Sequence, residues 1–114
     1  MTENTKQRAT AEHALHQVLY SGLIRLHVLH HACENPVFGL WMIEELARHG
    51  YKLSAGTLYP LLHGMERKGL LRSSEEKHGK TSRKLYTATP VGRRALRVAK
   101  KRVKELFGEL FEQD

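Results

Sequence analysis

The stretch from Ser54 to Gly69, SAGTLYPLLHGMERKG, decides the fold. Leu58, Leu61, Leu62 and Met65 recur at steps of three and four, which puts them on one side of a helix. Ser54 is a candidate N-cap, because a serine hydroxyl can accept from the unpaired amides of a first turn. The opposite side carries Thr57, Tyr59, Pro60, His63 and Arg67. A hydroxyl, a phenol, an imidazole and a guanidinium turned to water have the chemistry to meet base edges and phosphates. An ordinary amphipathic helix shows the same pattern, so the flanking segments must separate the two readings.

Upstream, Gly39 to His49 reads as a helix with Trp41, Met42, Leu46 and Ala47 as candidates for its inner face. Gly50 stands where a helix stop belongs, and Tyr51-Lys52-Leu53 turns the chain into Ser54. Two helices joined by a short turn, the second with a polar open face, form a helix-turn-helix. Downstream, Gly69 closes the helix, Leu70–Ser74 suits one strand and Lys84–Ala88 another. Between them EEKHGKTSRK is a polar loop with no apolar residue and a central Gly79. A hairpin with nothing to bury at its tip, directly after a helix-turn-helix, reads as a basic wing; a plain solvated tip is the alternative.

Further out, MTENTKQR (residues 1–8) is polar and expected to be a flexible N-terminus. A helix opens near Thr10, with Ala11, Leu15, Val18 and Leu19 at helical spacing, and Gly22 is its candidate bend or break. Leu23 to Cys33 continues with Leu23, Leu26, Leu29 and either Ala32 or Cys33 inward, until Glu34-Asn35-Pro36 stops it. Val37-Phe38 is a short link. At the other end, Thr89-Pro90 is a strong helix start, and the helix runs to about Glu112, roughly 35 Å. Leu96, Ala99, Val103, Leu106 and Leu110 make a helix-seam pattern that Phe107 and Phe111 widen. So small a domain cannot cover the far end of that helix. A second copy of the chain, giving a homodimer, is the most economical cover; the alternative folds the seam back on the N-terminal helix, and interleaved helices would satisfy both. The expected class is mainly α with a small β-hairpin, a winged helix-turn-helix with long N- and C-terminal helices. Residues 9–89 form the DNA-binding domain and 90–114 the dimerisation helix.

Charge supports that reading. The 114 residues hold 19 Lys+Arg against 12 Asp+Glu, and residues 63–104 alone hold 14 of the basic side chains against three acidic ones. A localised basic region implies a polyanionic partner more strongly than a basic pI does. Cys33 is the lone cysteine, so no internal disulfide can form and a reducing cytoplasm is the simplest compartment. No stretch approaches the length of a signal or a membrane span, and no membrane partner is expected. No glycine-rich phosphate loop or nucleophile–base grouping stands out, so the chain does not read as an enzyme.

Three segments, GLIRLHVLHHACENPVFGL, SAGTLYPLLHGMERKGLL and RKLYTATPVGRRAL, closely resemble the PadR family of bacterial transcriptional regulators. The resemblance runs from about Leu19 to Leu96. Its most specific parts are Gly-Thr-Leu-Tyr-Pro at 56–60, with Glu66 and Gly69-Leu70 behind it, and the Tyr86, Thr89, Gly92 series. Where the family usually has His-Gly-Tyr, this chain has Phe38-Gly39-Leu40, and it carries the single C-terminal helix of the short type. The resemblance implies a winged helix-turn-helix dimer on operator DNA, usually a repressor of neighbouring genes relieved by a small-molecule effector, at the nucleoid of a bacterial cytoplasm.

Two recognition helices would then enter major grooves about 34–36 Å apart on an inverted repeat. The DNA-binding candidates are Ser54, Thr57, Tyr59, Pro60 and His63 on the helix, and Lys77, His78, Lys80, Arg83 and Lys84 on the wing; Arg93, Arg94 and Arg97 extend the basic region or are simply solvated. Trp41 is a candidate for stacking on an effector, although a lone tryptophan is more often core. His27, His30 and His31, with Cys33 nearby and His13 and His16 upstream, have spacings that can chelate zinc or nickel. The same spacing suits a helix interface, and no cofactor is expected. The remaining alternatives are a metal-responsive regulator built on that group and a winged-helix protein–protein adaptor.

Overall fold

A computed structural model describes residues 5–112 of the chain, with side chains from residue 17 onward. The element order is α1 (Thr5–Glu34), β1 (Val37–Phe38), α2 (Gly39–Arg48), α3 (Ala55–Arg67), β2 (Leu71–His78), β3 (Thr81–Ala88) and α4 (Pro90–Phe111). Residues 5–8, expected in a flexible terminus, belong to α1. Residues 1–4 lie outside the described part, as do the side chains of Thr10, Ala11, His13, Leu15 and His16.

Gly22 does not break α1, which is one helix of 30 residues. Its buried stripe is Ile24, Val28, Leu29 and Ala32. Of the expected inner residues, Leu29 and Ala32 are buried, Leu26 and Cys33 are half-buried, and Leu23 is exposed. Two neighbours explain the shift: the 24/28/32 stripe meets the domain core, while Leu23 and Leu26 line an open groove against α4.

The helix-turn-helix is closed by two glycines in left-handed conformation. At the end of α2, Gly50 (φ 90°) donates to the Ala47 carbonyl and Tyr51 to that of Leu46, at 3.0 and 2.9 Å. At the end of α3, Gly69 (φ 82°) donates to Glu66 and Leu70 to Met65, at 2.9 and 3.0 Å. Both are Schellman stops, in which a residue without Cβ takes the left-handed turn at low cost. The inner face of α2 is Met42 and Leu46; Ala47 is exposed and Trp41 is 38% exposed, so neither is core. From α3, Leu58, Leu62 and Met65 are fully buried and Leu61 is half-buried.

The three strands form one antiparallel sheet in the order β1-β3-β2. Val37-Phe38, expected as a bare link, pairs with Tyr86 and Leu85 of β3. The hairpin strands run further than expected, because the EEKHGKTSRK segment pairs almost to its middle, ending at His78↔Thr81. Only Gly79 and Lys80 turn the chain. Gly79 has φ 60° and Lys80 does not have positive φ, the pattern of a type II′ turn, whose twist suits a two-residue hairpin.

α4 begins as expected: the Thr89 hydroxyl accepts from the Gly92 amide at 2.9 Å, and Pro90 takes the first helical position. Gly92 and Leu96 are buried, so Leu96 belongs to the core of the subunit rather than to an outer seam. Beyond it Val103, Leu106, Phe107, Leu110 and Phe111 are bare, and at the far side so are Val18, Leu19 and Leu23 of α1.

Candidate nucleic-acid interface

The first turn of α3 is held by backbone rather than by a serine cap. The Ser54 carbonyl accepts from the Thr57 and Leu58 amides at 3.1 and 2.9 Å. Its hydroxyl does not cap the helix and instead donates to the Thr57 hydroxyl at 3.3 Å. Pro60 sits in the second turn without breaking the helix. Burying Leu58, Leu62 and Met65 leaves Gly56, Pro60, His63 and Arg67 in line on the open face, with Ser54 and Thr57 exposed at its start.

Tyr59 is not on that face. It is half-buried against the core, and its ring fills the space where Gly39 lacks a side chain: a Cβ there would meet the phenol oxygen at 2.5 Å. The ring thus locks α3 to the start of α2, and glycine at position 39 is what admits it.

Glu66 ties the inner edge of α3 to the wing. Its Oε2 accepts from the Ser73 hydroxyl at 2.7 Å and from the Ser73 amide at 3.1 Å. The hydroxyl bond is the main reason its carboxyl titrates below the usual range, and the positive charges of Lys84 and His63 add to it. Glu66, Lys84 and His63 therefore lie together where helix and wing meet. Beneath them Tyr86 is fully buried, its hydroxyl without a hydrogen-bond partner among the described residues, and burial pushes its phenol up.

The strand register divides the wing candidates between two faces. Ser73↔Tyr86, Glu75↔Lys84 and Lys77↔Ser82 alternate onto the face that meets α3. Lys77 and Lys84 thereby extend the open surface of α3. Glu76↔Arg83 and His78↔Thr81 point to the other face. There the Arg83 guanidinium lies 3.9 Å above the Phe38 ring and 3.1 Å from His78 Nε2, while His78 also meets Glu76. Phe38, one of the departures from the family pattern, thus acts as a platform for Arg83. Lys80 is exposed at the tip. Arg93 is engaged elsewhere, donating to the Cys33 carbonyl at 3.0 Å and pinning α4 to the end of α1; Arg94 and Arg97 are exposed.

The HxxHH group does not act as one unit. Cys33 is half-buried among core residues and is absent from the described side-chain groupings able to hold an ion. His30 pairs with Glu34 at 3.6 Å. His31 also approaches Glu45 of α2, and His27 approaches His49 at the end of α2, a meeting that the order of residues did not reveal. Trp41 stands edge-on to His31, with ring centroids 5.3 Å apart, beside a hollow lined by Pro36, Val37 and Phe38.

A helix-turn-helix with a polar open helix, followed by a two-stranded basic wing and flanked by long helices, defines a winged helix-turn-helix DNA-binding protein. The model of the PadR-like family of transcriptional regulators matches residues 28–98. Transcriptional regulator Rv3488 of Mycobacterium tuberculosis (strain ATCC 25618 / H37Rv) is 48% identical over 87 residues, covering 76% of this chain and 81% of that protein. The crystal structure of a PadR family transcriptional regulator from Eggerthella lenta DSM 2243 superposes with a TM-score of 0.76 at 31% identity, over 96% of this chain and all (100%) of that one. A PadR-like regulator from Bacillus cereus strain ATCC 14579 shares the fold, with a TM-score of 0.70 at 24% identity, over 84% and 98% of the two chains. The chain belongs to the PadR-like family of transcriptional regulators. It is a DNA-binding regulator and not an enzyme. Among the described residues no helix is long and apolar enough to cross a membrane.

Proposed function

We propose that the protein is a homodimeric repressor that reads an inverted-repeat operator near its own gene and is released by a small molecule. The observation that carries this reading is the open face of α3, continuous through His63 with Lys84 and Lys77 on the same side of the wing. Ser54, Thr57, Pro60 and His63 are assigned to the major groove, and Arg67 joins them at the far end of the face. Exposed amides and the dipole at the start of α3 favour a phosphate beside Ser54 and Thr57. Lys77, Lys80 and Lys84 hold the backbone alongside, while His78 and Arg83 reach it from the outer face of the wing, where Phe38 and Glu76 constrain them. Tyr59 serves the interface by fixing the angle between α2 and α3.

Dimerisation is assigned to Ala99, Val103, Leu106, Phe107, Leu110 and Phe111. Phe107 and Phe111 stand 4.8 Å apart between ring centroids and are 58% and 66% exposed, and a second copy would cover them together with Val18 and Leu19. The α1–α4 groove, about 490 Å³ and lined by Leu23, Leu26, Leu96, Val103 and Phe107, is a suitable seat for an apolar effector at the edge of that interface. Trp41 is the second assigned effector contact. The site of action is the nucleoid of the cytoplasm.

Titrating duplex DNA against the full-length chain at several salt concentrations tests the reading. An inverted repeat from upstream of the gene is expected to bind at least about a thousandfold tighter than random duplex, with affinity falling steeply as salt rises. Equal affinity for both duplexes at every salt concentration would overturn it.

A further inference from the structure

His27 and His31 stand one turn apart on one side of α1, while Glu45 lies in the last turn of α2 and His49 is the residue that caps its end. The two helices bring these side chains together. The ligating nitrogens of His27, His31 and His49 all lie within 4.8 Å of one another. Glu45 Oε2 sits between two of them, 3.4 Å from His31 Nε2 and 3.1 Å from His49 Nε2, while Oε1 is held by Arg48. Tetrahedral zinc, with bonds of about 2.0–2.1 Å, needs its ligand atoms about 3.4 Å apart. Binding would draw the three imidazoles inward from their present spacing, with Glu45 joining from the side of His31 and His49. We propose that His27, His31, Glu45 and His49 form a binding site for one zinc-class divalent transition-metal ion, bridging α1 to the first helix of the helix-turn-helix.

The donor set is three imidazoles and one carboxylate with no thiolate, which suits zinc, cobalt or nickel rather than magnesium or calcium. His31 and Glu45 are mostly enclosed, at 16% and 14% side-chain exposure, whereas His49 is open at 46%. The ion therefore has inner walls and an entry side. Tyr51 packs edge-on to His27 at 5.5 Å between ring centroids, limiting how far that ring can turn away. A second grouping, His30, His31 and Glu34, lies on one helix and shares His31. It lacks the two-helix enclosure and is not chosen.

α1 packs against α2, and α2 against α3, so an ion between α1 and α2 would stiffen the support on which α3 rests. The site does not depend on the operator reading, and its test uses no DNA. Metal-free full-length protein is titrated with Zn(II) against a chromophoric chelator, and with Co(II) followed by visible absorption. Expected are one Zn(II) per chain at micromolar affinity or tighter and the intense visible bands of four-coordinate Co(II). His49→Ala and Glu45→Gln should each weaken Zn(II) at least about tenfold, while His30→Ala and Cys33→Ser leave it within twofold. Circular dichroism checks that the variants keep their helices, and the open position of His49 makes its substitution the gentlest. Wild-type protein that takes up no Zn(II) at micromolar concentration overturns the site. So does His49→Ala binding as wild type, or His30→Ala weakening the metal as much as His49→Ala does.

Discussion

At Gly92 an added Cβ would come within 2.2 Å of the Leu70 carbonyl oxygen and 3.2 Å of a Leu29 methyl. That carbonyl is fixed by the Thr89 amide at 3.1 Å, so it cannot retreat without unseating the start of α4. Gly92→Ala should lose about 2–3 kcal/mol, read by chemical unfolding. Gly22 has nothing within 4 Å of an added Cβ and lies inside a helix, so Gly22→Ala should gain up to about 1 kcal/mol. Glu66 provides a pH test. Its carboxyl titrates below its ordinary 4.5 when folded, so the unfolded chain takes up the proton first as pH falls. The stabilisation is complete above about 4.5 and fades as pH falls through the lower folded value. Glu66→Gln should flatten that acid limb in a series of thermal melts. Sequence spacing identified the buried leucines of α3 but not the fate of Tyr59, because helical period says only which side a residue is on. Whether an aromatic at the border turns in or out depends on a partner, here the missing side chain of Gly39.

Among the elements, the wing shows how pairing register divides residues that look alike in sequence. Lys77, His78, Lys80, Arg83 and Lys84 form one basic run when read along the chain, yet alternation sends Lys77 and Lys84 toward α3 and His78 and Arg83 away. The double variant Lys77→Ala/Lys84→Ala should weaken operator and random DNA alike, and lower the slope of log affinity against log salt by about 2. Arg83→Ala should lower the slope by less than 1, because its charge is already shared with Phe38 and Glu76. The short strand at Val37-Phe38 could not be read from two residues, since a strand of that length is defined by its partner, Leu85-Tyr86, and not by its own pattern. The helix stops were legible because Gly50 and Gly69 perform a backbone task that few other residues can.

For the whole molecule, the long apolar stripe of α4 was legible, while its division between inner core and outer seam was not. Leu96 follows the same spacing as Val103 and Leu106, and only the position of α1 decides that it is enclosed. Truncation after Lys101 removes Val103, Leu106, Phe107, Leu110 and Phe111 but retains Leu96. The shortened chain should lose only the circular dichroism of the deleted part of α4, unfold cooperatively, and sediment as a monomer. A truncated chain that remains dimeric would move the interface to Val18, Leu19 and Leu23 of α1. The meeting of His27 and His31 with Glu45 and His49 was hidden for a related reason: each pair belongs to its own segment of chain, and their juxtaposition is a product of how α1 and α2 cross.

The continuity of α1 through Gly22 has a mechanical consequence. Along a single turn of that helix, His27 and His30 line the groove against α4, while His31 bears on Glu45 and Trp41 of α2. An unbroken helix transmits torsion, so rolling α1 to widen the groove swings the neighbouring turn across α2 by the same angle. α1 is in this sense an axle, with the apolar groove against α4 at one bearing and α2, the support of α3, at the other.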